Sequence, residues 1–168
     1  MNSRDIVIDA LGRVKGVVHA AVKELSPDHL ATSPYENGNT VAWLIWHLTR
    51  VQDGHFADAA GVEQLWTSAG WFDRFGLPFD PSASGWNQSS AEVAAVHAEA
   101  SLLLGYHDAV HERSIEWVGG LSDSDLDRSV DESWDPPVTL GARLVSVISD
   151  DLQHAGQAAY VRGMLLAR

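Results

Sequence analysis

The sequence predicts an all-α protein, a four-helix bundle running up-down-down-up with a long aromatic crossover between its second and third helices. Three observations carry this. Four long stretches place apolar residues at three- and four-residue spacing, the period of a helix with one buried face. A half-chain pattern occurs twice. Leu25-Ser26-x-x-x-Leu30, a loop and a helix from Thr40 are echoed by Leu121-Ser122-x-x-x-Leu126, a loop and a helix from Thr139. No stretch shows the two-residue alternation of a half-buried strand. Two helical hairpins joined by a long connection give the bundle, expected as a single domain over residues 1–168.

The first helix is expected to start after Ser3 and to run to about Leu25. Ser3 supplies the cap, Asp5 an acid in the first turn, and Ile6, Ala10, Val14, Val17, Val18, Ala21 and Val22 the buried stripe. Ser26-Pro27 opens a single further turn, and the segment from Thr32 to Asn39 reads as loop. The second helix runs from Thr40 to Ala60, capped by Asn39 or Thr40 and ended by Gly61. Residues 61–88 carry Trp66, Trp71, Phe72, Phe75, Phe79 and Trp86 with no long period. So many large rings do not suit a disordered chain, and the segment is expected to fold over one end of the bundle with short helical turns. Ser89-Ser90-Ala91-Glu92 is a capping-box signature, and the third helix is expected to follow without interruption to about Trp117. A turn at Leu121–Leu126 and a loop over 127–137 lead to the fourth helix, from Leu140 to Leu166.

Composition narrows function. The chain has 168 residues, 45% of them hydrophobic, and a net charge of −12, which argues against nucleic acid or an anionic membrane surface as partner. Without cysteine there is no disulfide, no thiolate nucleophile and no Cys-ligated metal; any thiol chemistry needs a thiol brought in by a ligand. The N-terminal stretch lacks the apolar run of a signal peptide, and no apolar stretch reaches membrane-spanning length, so a soluble cytoplasmic protein is expected. Apolar residues assigned to outer faces, such as Leu102 and Leu165, suggest a homodimer.

Chemistry points to the second and fourth helices. Asp150 and His154 lie four apart, so a helix places them on one face. His47 sits in the strongly apolar run Trp43-Leu44-Ile45-Trp46-His47-Leu48. Brought together in a bundle interior, His47, Asp150 and His154 make a two-imidazole, one-carboxylate set suited to Zn, Ni, Fe(II) or Mn, with coordination positions left open. Taken singly, Asp150 with His154 reads first as a helix-surface ion pair and His47 first as a core-edge histidine; it is their combination that favours a metal site. Asp151, on the Leu144, Ile148 and Ala155 stripe, is the competing carboxylate; Asp150 is preferred because it shares a face with Val147, His154 and Val161. His107 and His111 offer an alternative i,i+4 pair, although His111-Glu112 reads as a helix-surface pair. The remaining histidines, His55 among them, read as solvent-facing or structural. Arg162 and Arg143 could each meet a substrate carboxylate or serve the surface. No Gly-rich phosphate loop and no Gly-x-Ser-x-Gly elbow occurs.

The run Trp43–Leu48, with Asp150-x-x-x-His154-Ala155-Gly156-Gln157 and Tyr160-x-Arg162-Gly163, resembles the DinB-like (DinB/YfiT-like) superfamily, and most closely its actinobacterial mycothiol-dependent transferase branch. The resemblance covers nearly the whole chain, including Trp71-Phe72-Asp73-Arg74-Phe75-Gly76-Leu77-Pro78. It implies a four-helix bundle with a metal triad at His47, Asp150 and His154. Where family members commonly carry His-x-x-x-His-x-Gly-Gln, this chain has Asp150 in the first position. It further implies a divalent ion, zinc or nickel ahead of iron or manganese, and a mycothiol-like thiol as cosubstrate, transferred to a small electrophile or used in a thiol-dependent isomerisation. Trp43, Trp71 and Arg162 are the candidate substrate contacts. A metal-assisted hydrolase and a non-catalytic, metal-binding stress-response bundle are the alternatives.

Overall fold

The computed structural model describes residues 2–167. Four long helices form the frame: α1 (Ser3–Val22), α3 (Val41–Ala60), α7 (Ala100–Gly119) and α8 (Leu140–Leu166). Between them lie the short helices α2 (Pro27–Ala31), α4 (Leu65–Ser68), α5 (Trp71–Phe75) and α6 (Ser90–Ala94), a 3-10 turn at Asp123–Asp127, and a two-stranded antiparallel ribbon of β1 (Ser129–Asp131) and β2 (Val138–Thr139). Helix α8 packs along both α1 and α3, and α7 does the same from the opposite corner, so α1 sits diagonally opposite α3 and α7 diagonally opposite α8.

The core fixes the directions. One apolar cluster joins Leu11 of α1 and Leu140, Leu144 and Val147 of α8 to Phe56 and Ala59 of α3 and Val118 of α7. The starts of α1 and α8 therefore meet the ends of α3 and α7, which is the up-down-down-up order. The larger cluster occupies the other end, where the aromatic crossing adds Trp66, Trp71 and Phe75 to Trp43, Trp46 and Leu48.

Local chemistry explains most boundaries. Thr40 accepts the Trp43 amide and starts α3, and Gly61 ends it in the left-handed region at φ 70°. Thr139 caps α8 in the same way through Ala142. At α1 the cap is Asn2, in a reciprocal box with Asp5, and not Ser3. That helix stops at Val22, short of Leu25, because the chain turns through Glu24 at φ 63°. Ile6, expected in the core, is 57% exposed, whereas Leu11 takes the buried position.

Three expectations are corrected. The third helix is not continuous: the Ser89–Glu92 capping box closes only the short α6, residues 95–99 leave helical geometry, and α7 begins at Ala100. Val93 and Val96 are buried by this arrangement, which extends the crossing to residue 99. The loop before α8 contains the ribbon, which pairs Ser129 with Thr139 and Asp131 with Val138. Leu165 is buried and Leu102 packs against the core, so neither supplies the outer apolar face on which a homodimer was expected. Among the described residues no helix is long and apolar enough to cross a membrane.

Candidate metal centre

Trp43, His47, Val51 and His55 follow one another at four-residue intervals and form one stripe of α3. Facing them, Asp150 and His154 project from the antiparallel α8. His47, Asp150 and His154 each offer a ligand atom, and these atoms lie within 4.8 Å of one another. His154 Nε2 is 3.6 Å from Asp150 Oδ1, and the His47 and His154 rings stand edge to face at 4.8 Å.

Each imidazole is oriented by a second bond. The Ser84 carbonyl accepts from His47 Nδ1 at 2.5 Å, which leaves His47 Nε2 bare. Trp43 stacks on the same ring at 4.6 Å and 14°. Nδ1 of His154 donates to Gln157 Oε1 at 2.9 Å, so its Nε2 also turns its lone pair toward the site. Burial, chiefly, lowers the His47 pKa, with the neighbouring His154 adding to it; the Ser84 bond and Asp150 work against the shift. The Asp150 carboxylate, 3.6 Å from Nε2, raises that of His154. Burial pushes the Asp150 carboxyl upward, but His154 and the other surrounding histidines, His47 and His55, outweigh it and leave the group below its ordinary value. Asp150 is thus an anion beside two imidazoles, and its Oδ2 is buried without a partner among the described residues. An orphaned carboxylate oxygen next to two bare imidazole nitrogens is a donor set that fits a divalent ion.

Asp151 points the other way. It is fully buried, and neither oxygen has a partner among the described residues. Desolvation, with Asp150 adding to it, holds the carboxyl well above its ordinary pKa, so it stays neutral and is a poor ligand.

The three residues line a cavity of about 600 Å³ together with Asn39, Trp43, Val51, His55, Val93 and the strap Ser84–Gln88. The strap is the end of the crossing expected over 61–88, but nothing in the sequence singled out Ser84 or Gly85 within it. It is held over α3 from both ends: Ser84 bonds His47, and Gln88 Oε1 accepts Trp43 Nε1 at 2.7 Å. Gly85 between them has φ 99°, and a Cβ there would lie 2.5 Å from His47 Nδ1, so only glycine fits. Upstream, the buried Arg50 donates to the carbonyls of Ala83 at 3.1 Å and Pro81 at 3.3 Å, while Asp53 accepts the Leu65 and Trp66 amides. Arg50 and Asp53 thereby tie the whole crossing to α3.

Of the expected substrate contacts, Trp43 lines the cavity. Trp71 does not: it is buried against Tyr106, with Arg74 over its ring at 4.5 Å. Arg162 does not either, since its guanidinium donates to the Lys23 carbonyl at 3.1 Å. Trp86, 87% exposed, is the crossing's ring at the cavity rim. His107 and His111 are buried in α7 and not solvent-facing, and their rings lie 6.3 Å apart, away from the triad. His55, expected to face solvent or to be structural, lines the cavity instead, two turns from His47 on the same stripe.

No curated protein matches the chain by sequence. Two of the solved structures that resemble it are informative. A conserved protein from Enterococcus faecalis superposes with a TM-score of 0.93 at 28% identity, over 100% of this chain and 99% of that one. YfiT from Bacillus subtilis, described as "a probable metal-dependent hydrolase with an unusual four-helix bundle topology", does so with a TM-score of 0.62 at 19% identity, over 96% and 87%. YfiT shares the fold. The sequence matches the family model described as Mycothiol-S-transferase over residues 7–166, and the chain belongs to that family.

Proposed function

We propose that the protein is a divalent-metal-dependent transferase that passes a low-molecular-weight, mycothiol-like thiol to a small electrophile. The observation that carries this reading is the convergence of His47, Asp150 and His154 on one point of a 600 Å³ cavity, in a chain of the mycothiol-S-transferase family. These three residues would hold the ion, and two imidazoles with a carboxylate suit zinc or nickel first, then iron or manganese. A divalent ion bound there lowers the pKa of a thiol and orients its sulfur, chemistry for which the cysteine-free chain has no side chain of its own.

The protein's residues supply orientation and shelter. Ser84 and Gln157 fix the two imidazole tautomers before any ligand arrives. Trp43, Val51 and Val93 make an apolar wall that keeps water from the sulfur, and Asn39, Asn87 and Gln88 offer amides to the polar part of the thiol. The test is consumption of a sugar-bearing thiol with monochlorobimane as electrophile, using zinc-loaded protein. Turnover that requires the thiol and disappears in His154→Ala is expected. Hydrolysis of an ester or amide at the same rate with and without thiol would replace the transferase with a metal-assisted hydrolase, the activity ascribed to YfiT.

A further inference from the structure

His55 lines the same cavity two helical turns from His47, about 12 Å along the α3 axis. The charged neighbour on its other side comes from α8. Arg143 Nη1 lies 2.7 Å from His55 Nδ1, and Arg143 Nη2 donates to Asp131 Oδ2 of β1 at 3.0 Å. A guanidinium has no acceptor, so it must donate to a bare Nδ1. The ring proton is then on Nε2, the other nitrogen of the ring, where no protein bond is made among the described residues.

We propose that His55 is a specificity-determining hydrogen-bond donor, a neutral imidazole clamped by Arg143 whose Nε2–H receives an acceptor oxygen of the electrophile. The proposal rests on reading the cavity as the thiol-transfer chamber. It narrows the second substrate to compounds carrying a carbonyl, amide or nitro oxygen within reach of the carbon that is attacked. The Asp131–Arg143–His55 chain does two things. It keeps the ring neutral, because a proton on Nδ1 would face the guanidinium, and it polarises Nε2–H toward the cavity. Burial and then Arg143 hold the ring below its ordinary pKa, against the acidic groups that face it, Asp58 of α3, Asp150 of α8 and Asp131 of β1. A neutral donor suits a neutral acceptor, and His55 keeps its proton throughout: the thiolate sulfur forms the S–C bond and the leaving group departs with the electron pair.

The test compares two alkylating agents against one thiol in the zinc-loaded protein: iodoacetamide, which carries an amide oxygen, and allyl iodide, which carries none. In both, iodide leaves as the S–C bond forms. His55→Phe is expected to lower kcat/KM for iodoacetamide about tenfold, the worth of one hydrogen bond, with most of the change in KM. Turnover of allyl iodide and the metal content should stay as in the parent protein. Arg143→Met, which frees Nδ1 and leaves His55 in place, should give a smaller loss on the same substrate only. Equal loss on both substrates, no loss on either, or release of the metal would overturn the proposal. If the parent protein alkylates with neither reagent, the thiol-transfer reading fails by itself. His55 is then judged by side-chain nitrogen NMR with acetamide as probe. A bare Nδ1 and an Nε2–H resonance that moves with acetamide uphold the donor, and a protonated Nδ1 or an unmoved resonance overturns it.

Discussion

His47 is held by a carbonyl at Nδ1, an indole on its face and a glycine without a side chain beside it, and each contact limits which substitutions the site can absorb. Gly85→Ala would force a Cβ into the ring at a φ that L residues rarely adopt. We expect a loss of about 1–3 kcal/mol in chemical denaturation and a weaker metal site. Asp150 and Asp151 are adjacent but not equivalent. Asp150→Asn should lower metal affinity by tenfold or more, whereas Asp151→Asn, which keeps a neutral group in the core, should leave it unchanged; metal titration of the two variants separates them. His107 carries a different liability. Both ring nitrogens are buried without a partner among the described residues, and burial, with His111 adding to it, lowers the pKa to about 3. The unfolded chain takes up this proton near pH 6.5 and the folded one only near 3. The stability is therefore present in full above pH 6.5 and is lost as the pH falls toward 3. Between pH 7 and pH 5 that loss is about 2 kcal/mol from His107 alone. Urea unfolding at the two pH values should show it, and His107→Leu should remove that share of the slope.

At the scale of elements, the crossing makes the site. Arg50 does not touch the triad, but its bonds to Pro81 and Ala83 fix the backbone immediately before Ser84. Arg50→Gln is expected to lower metal affinity roughly 10- to 100-fold, as loss of an orienting partner does. The far-ultraviolet circular dichroism of the long helices should remain, and loss of helix together with metal would instead make Arg50 a folding residue. Sequence pattern reached α3 and α8 because their caps, Thr40, Gly61 and Thr139, and their apolar stripes point to the same boundaries. It also reached His47, Asp150 and His154 as candidates, since helical spacing in an apolar setting is a local signal. It failed at residues 95–99, where Ala95, Ala98 and Glu99 favour helix and no Gly or Pro marks a break; burial of Val93 and Val96 overrides the propensity. The ribbon was missed because two or three residues per strand are too few to show alternation. Within the expected crossing, the strap's bond to His47 was invisible for another reason: Ser84 acts through a carbonyl that every residue possesses. Composition likewise could not tell Trp71, packed on Tyr106, from Trp86 at the cavity rim.

In the whole molecule, the diagonal placement of α1 opposite α3 and of α7 opposite α8 sets the functional helices α3 and α8 side by side and antiparallel. Asp150 and His154 then meet a stripe that begins near the start of α3. An ion held by His47 with Asp150 and His154 would join these two helices and bind only the folded chain, so adding zinc should raise the melting temperature in proportion to the logarithm of its excess over Kd. The measurement that bears most directly on the account is the metal content of the purified protein beside His47→Ala, Asp150→Ala and His154→Ala. About one equivalent of a divalent ion in the parent protein, and its loss from all three variants with their helical signal intact, is the expected result. Full retention by any of the three, or a parent protein that takes up neither zinc nor nickel when offered them, would contradict it.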